Sequence, residues 1–204
     1  MRLIDCQDFA LIDRQDDMAY LALSYVWGLA NEDLVALVAP EDGEPDDNRH
    51  SRRLPTRVPR VVSDAMTVTT DLGYRYLWVD QFCIDQKADA AVLVNLISQM
   101  DLIYMSAQLT IIAASTSGAL PGVGDTPRTQ QKLLSIPPPG APGSSDDAGG
   151  FTIFTTSPHV YESVKKSVWY QRGWCFQESV LSPARLYFTD HETLFQTHSS
   201  AFSE

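Results

Sequence analysis

The segment Arg172-Gly173-Trp174-Cys175-Phe176-Gln177-Glu178 gathers a guanidinium, an indole, a thiol and a carboxylate within seven residues. In a helix Trp174 and Glu178, four apart, share one face, so the acid can be held beside an aromatic surface. A carboxylate in partly apolar surroundings is chemically poised, because desolvation and neighbouring charges set its proton affinity. Two further acids, Asp80 and Asp85, flank Gln81-Phe82-Cys83-Ile84 and are followed by Gln86. They suit either turn and cap positions or contacts to a ligand. Cys83 and Cys175 are by default small buried hydrophobes. A thiol nucleophile paired with His191 or His159 has no local signature here.

These groups need a scaffold, and the pattern of apolar runs supplies one. Residues 20–26 read as a buried strand ending in Ser24, Tyr25, Trp27 and Gly28. Residues 31–38 suit a short helix before an acidic, Pro- and Gly-containing loop over 40–56. From Pro59, Val61, Val62, Ala65, Met66 and Leu72 recur at helical spacing, and Gly73 stands where the helix should stop. Tyr76 to Val79 form the next strand, with Asp80 at its carboxyl end. Over 90–105 the stripe Val92, Leu93, Leu96, Ile97, Met100, Ile103 and Tyr104 predicts one amphipathic helix with a core-facing side. Gln108 to Ser115 give a third strand.

A loop-rich interruption follows over roughly 116–150, within an insertion of about 116–165 that contains three consecutive prolines. Phe151 to Thr156 suit a strand hairpinned with Lys132 to Ile136. The RGWCFQE helix comes next, and then a strand over Arg185 to Thr189. Alternating strands and helices predict an α/β domain with a mostly parallel sheet flanked by helices. Ligands of such sheets bind at the carboxyl ends of the strands, which places Ser24, Tyr25, Gly28 and Asp80 on one edge.

Composition narrows the classes. At 204 residues and 44% hydrophobic content the chain suits a single domain with a sizeable core. A net charge of -11 argues against a general nucleic-acid binder. No apolar run approaches the roughly 20 residues that cross a bilayer. The charged start MRLIDCQDF lacks the apolar core of a signal peptide. Three scattered cysteines give no disulfide framework, and no zinc quartet is spaced for metal. These features point to a cytoplasmic protein without membrane or nucleic-acid partners. The run Glu41 to Asp47 and the arginines between Arg49 and Arg60 suit solvated loop, or an anion contact through Arg52, Arg53 or Arg57. The dinucleotide GxGxxG and phosphate GxxxxGK[ST] loops are absent.

The ordered segments LSYVWG, YLWVDQFCIDQ, QMDLIYMSA and RGWCFQE resemble the fungal heterokaryon-incompatibility (HET) domain over roughly Tyr20 to Phe188. Under this resemblance residues 1–204 are one HET domain, with a core of about 20–190, standing at the front of a longer protein. The Ser24-Tyr25 corner and the WCxxE pattern of Trp174 to Glu178 also resemble the Toll/interleukin-1 receptor (TIR) domain. That likeness implies a TIR-like, flavodoxin-like sheet and nominates Glu178 as the catalytic residue for releasing nicotinamide from NAD. NAD or a related nucleotide is then a substrate rather than a cofactor. Self-association and other cell-death proteins are the implied partners.

Within that reading Ser24, Tyr25, Trp27, Gly28, Asp80, Asp85, Gln86, Arg172, Trp174 and Gln177 are substrate-binding candidates. Trp174, Trp27 or Tyr25 could stack on a flat base, and Arg172 could pair with a phosphate or fix Glu178. Each has a plainer alternative. Glu178 could serve a helix N-terminus, Trp174 and Trp78 could be core, and Arg172 could bridge an acid such as Asp80. The long insertion and the CIDQ segment depart from the TIR pattern. The same resemblance also fits a non-enzymatic adaptor module in cell-death signalling.

Overall fold

A computed structural model of the protein describes residues 1–28, 51–55, 57–136 and 151–204. The helix expected over 31–38 and most of the acidic loop lie outside the described residues.

The first described elements are β1 (Arg2–Asp5), β2 (Ala10–Asp13), β3 (Tyr20–Ser24), β4 (Ser51–Arg53), α1 (Arg60–Asp71) and β5 (Tyr76–Val79). Next come α2 (Asp80–Cys83), α3 (Ala90–Ile97), α4 (Met100–Ser106), β6 (Leu109–Ala113), β7 (Leu133–Ile136) and β8 (Phe151–Phe154). The chain continues through α5 (Val160–Lys166), α6 (Gly173–Leu181), β9 (Ala184–Phe188), β10 (Thr193–Thr197) and β11 (Ala201–Ser203). The domain is α/β, as its alternating pattern predicts.

Nine strands form one mixed sheet in the order β11-β10-β9-β6-β3-β5-β1-β2-β4. The central four, β9, β6, β3 and β5, run parallel. The flanking strands pair antiparallel on both sides, so the sheet is less uniformly parallel than the sequence suggests. β7 and β8 form a separate antiparallel hairpin, in the pairing expected from their apolar residues.

The central strands explain their own composition. Every residue of β3 and of β6 is buried, as befits strands covered on both faces. The chain passes from β3 one way across the sheet to β5, then back past β3 to β6 and on to β9. With right-handed crossovers, that reversal puts α1 on one face and the helices before β6 and β9 on the other. α4 and α6 do pack together on a shared side. On that side Trp78 of β5 meets Tyr104 of α4 edge to face, with ring centroids 5.4 Å apart. The Tyr20 hydroxyl donates to the Ile103 carbonyl at 2.6 Å.

Two corrections concern helices. The segment expected as one helix over 90–105 is two, α3 and α4, separated at Ser98 and Gln99. Nor is its stripe a buried face: Tyr104 is buried, but Val92 is 50% exposed, and α3 contributes no buried residue. α1 buries Val61, Val62, Ala65 and Met66 as predicted and stops before Gly73, whose φ of 82° suits glycine, but Leu72 lies past the helix end and is exposed. The interruption after β6 is tied down rather than loose at its start. Asp64 of α1, only 3% exposed, binds Arg60 at 2.7 Å and accepts the Leu120 amide at 2.9 Å.

Candidate functional site

The carboxyl ends of the parallel strands carry the cluster. The register pairs Ser24 with Ile112 and Ile112 with Tyr187, so these three form one row across β3, β6 and β9 and share a face. α6 lies over that row, because Cys175 belongs to the same buried cluster as Ile112, Tyr187 and Trp169. The helix thereby brings Glu178 down to the end of β3. The Ser24 hydroxyl donates to Glu178 Oε2, and Ser24 Oγ accepts from the Trp169 indole N–H at 2.6 Å. Ser24, Trp169 and Glu178 are all buried, with 1%, 2% and 7% of their surfaces exposed.

The corner after β3 is tied on both sides. Toward α6, Arg172 Nη1 donates to the Tyr25 carbonyl at 2.7 Å. Toward β5 and α2, the Tyr25 hydroxyl donates to Gln81 Oε1, and the Trp27 indole N–H donates to Asp80 Oδ1 at 3.1 Å. The Gln81 backbone N–H also donates to Asp80 Oδ1, at 2.7 Å. The cluster stands at the carboxyl end of β3, beside the switch point between β3 and β6, the adjacent strands whose connections depart in opposite directions. The switch point is where an open α/β sheet receives ligands.

Electrostatics mark the two acids as perturbed. Burial pushes the Glu178 carboxyl upward, opposed by its Ser24 hydrogen bond and the Arg172 charge. Burial pushes Asp80 up to about 6, helped by the Glu178 charge and opposed by the Gln81 and Trp27 hydrogen bonds and by Arg172. Near neutral pH, then, Asp80 is a proton-exchanging group beside a second carboxylate. Burial and the Asp80 charge raise the Tyr25 phenol, so it stays protonated and keeps donating to Gln81. The Tyr104 phenol is raised by burial and then by Glu178 and Asp80, which marks it as a neighbour of both.

The sequence-derived candidates separate into groups. Ser24, Tyr25, Trp27, Asp80, Arg172 and Glu178 come together at the end of β3 through the bonds and fields above. Gly28 follows as an exposed residue at φ 75°, where a side chain would be strained. Asp85 takes the turn role: its Oδ1 accepts the Lys87 amide at 3.1 Å. Exposed Gln86 donates its amide to the Asp80 carbonyl at 3.1 Å, buttressing the loop rather than entering the cluster. Gln177 is half-buried. Trp174 is 54% exposed, so it is not core, and the indole bonded to the Ser24–Glu178 pair is that of Trp169.

The plainer alternatives resolve too. Glu178 is the sixth residue of α6, whose first turn holds no acid, so a helix-terminus role does not account for it. Among the described residues Arg172 forms no ion pair within 4 Å, so it is not a bridge to Asp80. All three cysteines are buried and unpaired. Burial pushes Cys83 and Cys175 up to about 12, and the Cys175 thiol donates to the Trp169 carbonyl. Neither site favours the thiolate form. Among the described residues no group of His, Cys, Asp and Glu is placed to hold a metal ion, and no helix is long and apolar enough to cross a membrane. The arginines of β4 stand at the outer edge of the sheet, three strands beyond β5.

Sequence reasoning missed Trp169, Gln81 and Tyr104. Trp169 sits in the turns before α6, where no periodicity applies. Gln81 hides between an acid and an apolar run, and its side chain is aimed by the short α2.

Fold and cluster together define an α/β domain with a buried-acid site at the carboxyl ends of its parallel strands. A family model described as Heterokaryon incompatibility protein (HET) matches residues 20–178, from the first residue of β3 to Glu178. The chain belongs to the heterokaryon incompatibility family. No curated protein and no solved structure matches it.

Proposed function

We propose that this domain is a cell-death effector of heterokaryon incompatibility that cleaves the N-glycosidic bond of NAD, with Glu178 as the key carboxylate. The observation that carries the reading is the junction of Ser24 and Glu178 at the ligand-binding edge of the sheet. The parallel strands in the order β5-β3-β6-β9 support the TIR-like, flavodoxin-like kinship behind it. The insertion of about 116–165 is where the domain departs from that plan.

The chemistry asks little of the protein. The nicotinamide of NAD is a cationic pyridinium. As the bond from ribose C1′ to nitrogen breaks, its electron pair neutralises the ring, and nicotinamide leaves without needing a proton. Ordinary glycosidases need a second, acidic carboxyl because their leaving oxygen must be protonated. One fixed negative charge at the ribose favours the oxocarbenium-like transition state. Water then adds to C1′ and yields its proton to solvent, giving ADP-ribose. Glu178 supplies the charge, and Asp80 lies close enough to feel it. Trp27, half-buried, and Trp174, exposed, offer rings for stacking on a base, whereas Tyr25 is buried and committed to Gln81. Arg172, which donates to the Tyr25 carbonyl, is the cation this reading assigns to a phosphate. The three unpaired cysteines suit action in the cytoplasm.

The test is incubation of the purified chain with NAD, dilute and concentrated, while nicotinamide release is followed. Release by the parent protein and none by Glu178→Ala is the expected outcome. Release that survives the substitution intact removes Glu178 from the mechanism.

A second reading, a non-enzymatic self-association or adaptor module, is favoured by a separate observation. Leu133, Leu134, Phe151, Ile153 and Phe154 of the β7–β8 hairpin are each more than half exposed, as are Val94, Leu102 and Met105 of α3 and α4. Exposed apolar clusters of this kind mark contact surfaces. Cell killing that persists in Glu178→Ala, together with concentration-dependent assembly, is the outcome this reading expects.

A further inference from the structure

The buried chain from Trp169 through Ser24 to Glu178 has a direction that its chemistry fixes. An indole N–H can only donate, and a serine hydroxyl carries one hydrogen and two lone pairs. Trp169 Nε1 lies 2.6 Å from Ser24 Oγ, so it occupies one of those lone pairs. The single Ser24 hydrogen is then free to point in one useful direction, and the partner there is Glu178 Oε2. Glu178 Oε1 has no hydrogen-bond partner among the described residues, and it is not one of the sealed, unpartnered polar atoms, which belong to Arg14, Arg128 and Arg185.

We propose that Trp169 is a positioning residue: its indole N–H turns the Ser24 proton onto Glu178 Oε2 and so leaves Oε1 as the oxygen that meets substrate. The role fits the way Trp169 is itself held. Its ring packs edge to face on Tyr187 at 5.9 Å, within the cluster that includes Ile112 and Val164. Its carbonyl accepts the Cys175 thiol from the first turn of α6, the helix that carries Glu178. One residue therefore fixes both the hydroxyl that binds the acid and the start of the helix that presents it.

The consequence is a carboxylate kept as an acceptor in a site that otherwise disfavours its charge. Burial raises Glu178, and the Ser24 bond and Arg172 oppose that rise. The other groups facing it are Asp80 at the end of β5, Tyr104 of α4 and the Cys175 thiol on its own helix, all of which register its charge. None of them donates a hydrogen bond to Glu178, so the Trp169–Ser24 pair is the directional support.

The inference rests on Glu178 as the reacting group, but its test does not need NAD. The chain is labelled with carboxyl-13C glutamate, the Glu178 signal is assigned with Glu178→Gln, and its titration is followed. Ser24→Ala shifts the midpoint upward, and Trp169→Phe shifts it upward by less. The double variant matches Ser24→Ala alone, because Trp169 acts only through Ser24. A Trp169→Phe protein that titrates as the parent does, or shifts that add in the double variant, overturns the relay. Trp169 is core, so a second readout guards against misfolding: hydrogen exchange at its indole N–H. Exchange accelerates in Ser24→Ala if the bond exists, and an unchanged rate overturns the proposal. A protein that passes these tests yet releases no nicotinamide keeps the relay and loses the NAD reading.

Discussion

Ser24 and Glu178 lie 154 positions apart in sequence and share a hydrogen bond in the interior of the domain. One ends the central strand of the mixed sheet; the other sits in the second turn of the helix that covers it. The contact therefore depends on the whole order of strands and crossovers between them. It also makes the acid a cost to the fold. A buried carboxylate held by one hydroxyl and no close cation costs stability relative to an exposed one.

That cost is measurable. Glu178 is raised in the folded protein, so its contribution is fully favourable below the unfolded carboxylate value and is lost as pH rises through the folded one. Glu178→Gln removes the ionisation while still accepting from Ser24. It should be more stable than the parent at neutral pH, with a higher Tm. The gain should vanish near pH 4. Thermal melts at pH 4 and pH 7.5 check both parts.

Asp80 follows the same sign over a window set by its value of about 6 against an ordinary 3.8. That rise corresponds to a stability loss on the order of 2–3 kcal/mol between roughly pH 4 and pH 7. Asp80→Asn keeps an oxygen for the Trp27 indole and should flatten that part of the curve. Urea unfolding at several pH values reads the slope directly.

Arg172 holds both acids down from outside ion-pair range and ties α6 to the Tyr25 carbonyl. Arg172→Gln should raise the titration midpoints of Asp80 and Glu178 together and cost about 1–2 kcal/mol through the lost charged hydrogen bond. Carboxyl NMR and chemical unfolding test the two effects separately.

The β7–β8 hairpin offers a prediction independent of the acids. Its register places Leu134 with Ile153 and Ile136 with Phe151, so these four share one face, and each is exposed. Two-stranded hairpins are marginal alone in water, and such a face favours cover. Phe151→Glu or Leu134→Lys should leave stability within about 0.5 kcal/mol, as exposed positions do. Each should weaken any concentration-dependent assembly seen by light scattering.

Much of this architecture was legible in local sequence. β3, β5 and β6 are short apolar runs, and Asp80 and Ser24 stand at their ends, so the strand rule places both on one edge. The WCxxE pattern located the start of α6, which runs on past the motif to Leu181. What stayed hidden has identifiable causes. β1, β2, β10 and β11 flank the parallel strands, and each has only three to five residues, too short for periodicity to speak. The break at Ser98 and Gln99 interrupts no apolar repeat, so one helix reads as well as two. Trp169 reaches Ser24 across 145 residues from a turn, a relation that no local pattern encodes. Trp174 was the visible indole; it is 54% exposed, and the indole that bonds Ser24 is Trp169.

The most direct measurement is the rate of nicotinamide release from NAD by the parent chain and by Glu178→Gln, with folding of both verified by their melts. Loss of the acid should reduce the rate by at least about 100-fold while the variant melts no lower than the parent. Equal rates from the two proteins, or no release from the parent at any concentration, would contradict the enzymatic account.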